Sequence, residues 1–231
     1  RWLREGDSAL TGAVLKLSTD RAWEVRRQVA ASIGEMPAAA RVAPAAAMLA
    51  TADGNDGIFV DTLVSGLRGL ESEVLERVLQ ARAASAATQP RDAVSMLAAA
   101  VSKSGDVAAF ERVLTHVTDN ARPEWQRIAL LTGLDTALPA VAGRGGARGL
   151  AGLSFGRVIP TTPGRGMSLP AEPVGLRRMA EGTGELAMAA RVVAEKVNWP
   201  GRPAPTVIVL PLTPEQQKRQ VAGAEVYKAI C

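Results

Sequence analysis

The stretch AWEVRRQVAASI, residues 22–33, recurs twice at an interval of 34 residues, as DGIFVDTLVSGL at 56–67 and PRDAVSMLAAAV at 90–101. Apolar residues occupy matching positions in the three copies and follow one another at four-residue spacing, which places them on one face of a helix. The stretch therefore predicts an amphipathic helix that repeats along the chain. The matching sets are Val25, Phe59 and Ala93; Val29, Leu63 and Leu97; and Ile33, Leu67 and Val101.

A fourth copy, EWQRIALLTGLD at residues 124–135, is fainter. Leu131 corresponds to Leu97, which keeps the central apolar position. Arg127 and Asp135, however, stand where the other copies carry apolar residues. The sequence therefore predicts a fourth helix with the same period and a weaker apolar face.

A second helical stretch precedes each copy, so the repeating unit is a pair of helices. A single pair cannot bury its own apolar face, whereas stacked pairs cover one another. Only 3% of the residues are aromatic and alanine is abundant, which favours packed helices over a sheet. We expect an all-α fold, with an α-solenoid of about four helix pairs over residues 1–142. Residues that favour helix starts lie near the beginnings of the predicted helices: Asp20, Asp56, Pro90, Asp119 and Pro123.

The first copy resembles a HEAT repeat. The period of 34 also fits tetratricopeptide repeats, but their Trp-Leu-Gly-Tyr pattern is absent. The resemblance implies a structural or solvated role for Arg26 and Arg27, in preference to partner binding. The pattern D-x-x-x-x-V-R-x-x-x-A-x-x-I-G is formed by Asp20, Val25, Arg26, Ala30, Ile33 and Gly34.

Residues 143–212 are predicted to be a connector. Residues 143–184 hold eleven of the chain's 22 glycines, and residues 160–214 hold nine of its 14 prolines. This composition is typical of a flexible or extended linker. Its glycine-rich fragments lack the spacing of a phosphate-binding loop. One helix is predicted near 185–197, because apolar residues recur there at three- and four-residue spacing and Pro200 follows.

Charge and composition argue against nucleic-acid binding and against a transmembrane segment in this chain. The formal charge is +4, and residues 143–231 carry twelve basic side chains against six acidic ones. The basic residues are not interleaved with the aromatic side chains that single-stranded nucleic acid needs, so we expect no nucleic-acid binding. We also expect no transmembrane segment, because no apolar run approaches the roughly 18 residues of a span.

Candidate catalytic and metal-binding residues are scarce. His116 is the only histidine, so a catalytic triad or a multi-histidine metal site would have to form around this one side chain. It lies toward the end of a predicted helix, where capping or surface exposure is expected. No paired carboxylates suggest general acid/base chemistry. We therefore expect neither a catalytic residue nor a metal site in this chain.

The stretch LTPEQQKRQVAGAEVYKAIC, residues 212–231, begins with a strong helix start. Thr213 suits the N-cap, Pro214 the first turn, and Gln216 the third position of a capping box. Apolar residues form a broad stripe that needs a covering body. They are Val221, Ala224 and Tyr227 on one side and Ala222, Val226 and Ile230 on the adjacent side.

This stretch resembles the first helix of a class I cytochrome c domain, in which G-x-x-x-Y-x-x-x-C leads into the C-x-x-C-H haem attachment motif. Gly223, Tyr227 and Cys231 occupy those positions. The resemblance implies that Cys231 forms a thioether with haem and that Gly223 and Tyr227 pack at a helix crossing. The second cysteine and the histidine of the motif are absent, so Cys231 alone cannot hold haem.

The whole arrangement is similar to bacterial PVC-type haem-binding proteins with HEAT repeats. The resemblance implies a fragment, residues 1–231, of a periplasmic or exported c-type cytochrome with haem c in the parent protein. The solenoid would be a spacer and docking scaffold, and residues 213–231 would begin the haem domain. The resemblance also implies partners for electron transfer: a protein redox partner, or a neighbouring domain of the parent such as an upstream sugar or alcohol dehydrogenase-like unit.

A second hypothesis is a non-catalytic HEAT-repeat scaffold that binds a protein partner. In that case Cys231, the chain's only cysteine, is incidental. The two hypotheses differ in what the gene encodes after Cys231: a further x-x-Cys-His completes a haem motif, whereas any other continuation favours the scaffold.

Overall fold

The computed structural model describes residues 7–52, 57–81, 89–139, 167–202 and 213–230. Across these ranges the regular secondary structure is helical. Ser168 and Asn198 form an isolated β-bridge, and the described residues contain no strand. The all-α prediction is confirmed. The helices are α1 (Ser8–Lys16), α2 (Trp23–Ile33), α3 (Ala38–Ala50), α4 (Gly57–Ser65), α5 (Glu71–Gln80), α6 (Arg91–Lys103), α7 (Val107–Thr118), α8 (Glu124–Ala137), α9 (Val174–Ala180), α10 (Glu185–Lys196) and α11 (Pro214–Ile230).

Alternate helices pack in two rows. In one row α2, α4, α6, α8 and α10 each contact the next. In the other row α3 packs on α5 and α7 packs on α9, while side chains bridge α5 and α7. Neighbours in sequence also pair across the rows, most closely α5 with α6 and α9 with α10. The helix pairs predicted from the 34-residue period therefore share one apolar core.

The repeating apolar positions form the centre of this core. Leu63, Leu97 and Leu131, at the same position of three copies, are fully buried. The other matching residues are also buried, except Val25 at the first position, which is half-buried. The sequence period therefore marks residues that form the core of the described helices.

The closest helix crossing joins α6 and α8 at Gly133. A Cβ atom at this position would lie 2.1 Å from the backbone oxygen of Ser95 and 2.8 Å from the Cβ of Ala98. No side chain fits there without moving a helix. Helices α2 and α4 also approach each other, but less closely: a Cβ on Gly34 would lie 3.0 Å from the Cα of Gly66.

A fifth helix pair follows the four that the sequence predicts. The predicted helix near 185–197 is α10, and it packs on α8. Helix α9 was not anticipated from the sequence; it packs on α7 and α10. The connector predicted over 143–212 thus contains a packed helix pair. Residues 140–166 and 203–212 lie outside the described residues, so the predicted domain boundaries stay predictions.

The polar residues of the fourth copy contact this fifth pair and its surroundings. Arg127 donates from Nε to the backbone oxygen of Val117 at 2.7 Å, and its guanidinium also reaches the sulfur of Met179 in α9. Asp135 pairs with Lys196 of α10 at 2.5 Å. The loss of apolar character in the fourth copy therefore marks where α8 meets the additional helices.

A tight turn ends the fifth pair. The amide of Arg202 donates to the backbone oxygen of Trp199 at 3.2 Å, and Gly201 has a φ of +83°. With Pro200 at the second position, this is the pattern of a type II turn. The Arg202 guanidinium lies 4.8 Å from the Trp199 ring centre and donates to the backbone oxygens of Glu195 and Val197. The chain is therefore fixed to the end of α10 as far as Arg202.

Basic side chains bind the carboxyl ends of five helices. Free backbone oxygens at a helix end favour a cation, because the helix dipole is negative there. The basic side chains in these contacts are therefore bound to backbone oxygens of the protein itself. The donors are Arg41 at the end of α4, Arg127 at α7, Lys196 at α8, Arg191 at α9 and Arg202 at α10.

We predict that Gly133→Ala destabilises the fold by about 1–3 kcal/mol, because the new methyl group overpacks the α6–α8 crossing. The matched control is Gly12→Ala in α1, where a Cβ meets nothing within 4 Å. That substitution should be neutral or stabilise by about 0.5–1 kcal/mol through helix propensity. Urea unfolding gives the free energy of unfolding of each variant. Equal stabilities would contradict the close crossing.

We predict that Lys196→Met loosens the fifth pair. The ammonium donates to the backbone oxygens of Asp135 and Leu138 at 2.6 and 3.2 Å, and the side chain is only 14% exposed. Its loss should cost about 1–3 kcal/mol, because two half-buried backbone oxygens lose their charged donor. Lys103→Met, at an exposed position of α6, should change stability by less than about 0.5 kcal/mol. Amide exchange in α10 reports the effect, and unchanged exchange would refute it.

Candidate functional site

The sequence places the candidate site on α11, and the start of this helix is formed as predicted. The Thr213 amide donates to Oε1 of Gln216 at 2.9 Å, and the Gln216 amide donates to Oγ1 of Thr213 at 3.3 Å. These reciprocal bonds are a capping box. Pro214 is the first helical residue, where its missing amide proton costs nothing. Local sequence is therefore sufficient to begin α11.

The apolar side chains of α11 are open to solvent. Every residue from 213 to 226 is exposed, including Val221 at 64% and Val226 at 58%. A Cβ on Gly223 would meet no atom within 4 Å. No neighbour in the described structure therefore explains why this position is glycine, whose presence in the helix costs roughly 1 kcal/mol relative to alanine.

The three predicted site residues differ in how far the structure describes them. Gly223 and Tyr227 lie four residues apart in α11, which puts their positions on one side of the helix. The side chain of Tyr227 and the whole of Cys231 lie outside the described residues. The haem thioether and the packing role of Tyr227 stay predictions.

His116 has a different place from the one the sequence suggested. Its side chain is 16% exposed, and Nε2 lies 2.6 Å from Oε1 of Glu76 in α5. It therefore links two helices and neither caps its own helix end nor extends into solvent. The partner comes from 40 residues earlier in the chain, so the contact depends on the stacking of pairs and could not be read from local sequence.

Arg26 contributes to packing within the first repeat. Its guanidinium lies 4.7 Å from the Trp23 ring centre and donates to the backbone oxygen of Asp20 at 3.3 Å. The Trp23 ring in turn contacts Phe59 of α4, with ring centres 4.7 Å apart. These contacts agree with the structural role expected for Arg26. Arg27 is exposed.

A shallow cleft of about 220 Å³ lies between α7 and α9. Its floor is apolar, with Leu114, Leu169 and Leu176, and Glu111 and Glu172 stand at its edge. Glu172 forms an ion pair with Arg177, and this hydrogen bond and charge raise the pKa of Arg177 above its ordinary value. The two hydroxyls that line the cleft, of Thr115 and Thr118, donate to backbone oxygens of their own helix, and neither is bonded to a glutamate carboxylate.

We predict that Thr213→Ala frays α11 from its first turn, because the capping box loses one of its two bonds. The expected cost to the helix is about 1 kcal/mol. Amide exchange of residues 215–218 should rise, while exchange in α10 stays constant. Lys218→Ala, an exposed change on the same helix, is the control and should leave this first turn protected. Unchanged exchange in Thr213→Ala would show that the cap does not hold the helix.

Two kinds of functional feature are absent from the part of the chain that the structure describes: a metal-site geometry and a membrane-spanning helix. Three or more His, Cys, Asp or Glu side chains do not converge there as metal ligands. The helices in these ranges lack the length and apolar character that crossing a membrane requires. No family model matches the chain, and neither a curated protein nor a solved structure matches it. Its function has to be argued from its own residues.

Proposed function

We propose that this chain is part of an exported multidomain c-type cytochrome. The stacked helix pairs are a HEAT-like α-solenoid that serves as spacer and docking scaffold. Residues 213–231 begin the domain that binds haem c and transfers electrons. The electron donor is a neighbouring domain, such as a sugar or alcohol dehydrogenase-like unit, and the acceptor is a protein redox partner.

The spacing of Gly223, Tyr227 and Cys231 on one helix carries this proposal. A glycine at an open helical position, followed at four-residue intervals by an aromatic residue and a cysteine, is costly without a partner that needs it. A second helix that crosses α11 at Gly223 supplies that partner. The exposed valines of α11 support the same conclusion, because they leave apolar surface for a covering body.

The described residues do not hold haem by themselves. Haem iron in such domains needs an axial nitrogen or sulfur ligand. His116, the only histidine, lies between α5 and α7 and is bonded to Glu76, so it is not placed to serve. Haem supplies reversible one-electron chemistry when bound. This chain contributes the first attachment cysteine and the helix that packs beside it, and the remaining ligands belong to further residues of the parent.

The solenoid assignment rests on the order of helix contacts. Helices two apart in sequence pack from α2 to α10 in one row, and in the other row α3 packs on α5 and α7 packs on α9. The buried residues of these helices belong to one apolar cluster. This is the arrangement expected of stacked repeats, in which neighbours bury one another's apolar faces. Such a stack holds its two ends at a set separation, which suits a spacer between redox units.

A protein-binding scaffold without haem is the second candidate function. The observation that favours it is the exposed apolar pair Met188 and Val192 on α10, since apolar surface at helical spacing is typical of a docking site. Under this hypothesis Cys231 has no attachment role.

The first experiment is to read the gene past Cys231 and stain the denatured full-length protein for covalent haem. We expect x-x-Cys-His to follow and the protein to retain peroxidase stain after denaturation. Cys231→Ser should remove most of the stain, because a thioether bond is lost. Lys218→Ser, an exposed change on the same helix, should leave it intact.

The two hypotheses give opposite results in this experiment. A continuation without Cys-His and an unstained protein reject the cytochrome and leave the scaffold. Stain that is unaffected in Cys231→Ser rejects Cys231 as the attachment residue. Circular dichroism shows whether each variant is folded, because its helical signal comes mainly from the helix stack. A loss of stain in a folded variant is therefore not caused by unfolding.

A further inference from the structure

Helix α10 carries the clearest exposed apolar pair in the described helix stack. Met188 is 58% and Val192 is 38% exposed, and their four-residue spacing makes them neighbours on one side of the helix. The opposite side, with Ala190 and Val193, is fully buried against the core. Met188 and Val192 therefore form an outward apolar ridge at the end of a row of helices.

The inner helices of the same row do not share this feature. On α4, Ile58 is 64% exposed but is a single apolar residue flanked by Asp61 and Thr62. On α8, the outward positions are Thr132 and Thr136. Single exposed apolar residues are ordinary on protein surfaces, whereas contiguous apolar surface is what contact sites are built from. The ridge on α10 is therefore a candidate docking surface.

The chain itself indicates what covers this ridge. Arg202 is fixed to α10 by its bonds to the backbone oxygens of Glu195 and Val197. Met188 lies about 10 Å along the helix from Glu195, at 1.5 Å per residue. Ten residues separate Arg202 from Thr213, so α11 begins at most about 40 Å from this anchor.

A tether of this length raises the local concentration of whatever α11 carries to the millimolar range. At that concentration a weak apolar contact is enough to hold two units together, because association costs less entropy than between free molecules. The unit that contains α11 is therefore favoured over any free protein for contact with the ridge.

We infer that the Met188–Val192 ridge of α10 is the docking surface for the domain that begins at α11 in the same protein. This inference rests on the proposed function for the identity of that domain. It adds the place where the domain is held against the helix stack. The contact positions the haem-bearing unit beside α10, on the side of the helix that carries Met188 and Val192.

Site-specific photo-crosslinking in the full-length protein tests this surface. A benzophenone amino acid is placed at Met188, at Val192 or, as matched control, at Ile58. We expect the first two positions to form crosslinks within one molecule to residues after 212. Their yield should exceed that at Ile58 by about tenfold, as expected for a partner tethered at millimolar concentration.

The outcomes separate this inference from the proposed function. Crosslinks to other molecules, or equal yields at all three positions, overturn the docking surface even if the protein stains for haem. Crosslinks within one molecule in a protein without covalent haem retain the docking surface and overturn the cytochrome. Changing Met188 and Val192 together to serine should release the tethered unit, seen as an increased radius of gyration, whereas Ile58→Ser should not.

Discussion

The approach of α6 and α8 at Gly133 constrains the geometry of the whole stack. With the Ser95 carbonyl where a side chain would project, the two helices touch backbone to backbone. In the other row α5 and α7 stand farther apart and are bridged by polar side chains, His116 to Glu76 at 2.6 Å and Arg112 to Ser72 at 3.3 Å. Neighbouring pairs are therefore held by backbone contact in one row and by side-chain bridges in the other.

The positive charge of the chain has a structural use. Arg191, Lys196 and Arg202, all from the basic second part of the sequence, donate to backbone oxygens at helix ends. Each contact satisfies acceptors that a helix cannot pair internally and places a cation at the negative end of its dipole. A net charge read from composition suggests an anionic partner only when the basic side chains are free, and these three are engaged within the fold.

The sequence predicts most of the stack because its signal is local and repeated. Leu63, Leu97 and Leu131 recur at one period, and each is buried where a helix meets its neighbour. Helix α9 escaped prediction because it is short, begins after Pro173 and lies in a region rich in glycine and proline. The His116–Glu76 bond escaped for another reason: its partners are 40 residues apart and meet only after the pairs have stacked.

The start of α11 could be predicted in atomic detail, whereas the use of the helix could not. The capping box of Thr213 and Gln216 depends on residues three apart, so local sequence determines it. What covers Val221 and Val226 depends on chain elements that pack from elsewhere, and local sequence carries no information about their position. Gly223 shows the difference, because its open position alone points to no partner: Gly12 of α1 is equally open. Only its four-residue spacing from Tyr227 and Cys231 supports the proposed helix that crosses α11. At Gly133 the contact with Ser95 lies within the described structure and explains the glycine directly, whereas at Gly223 the explanation depends on a helix from elsewhere.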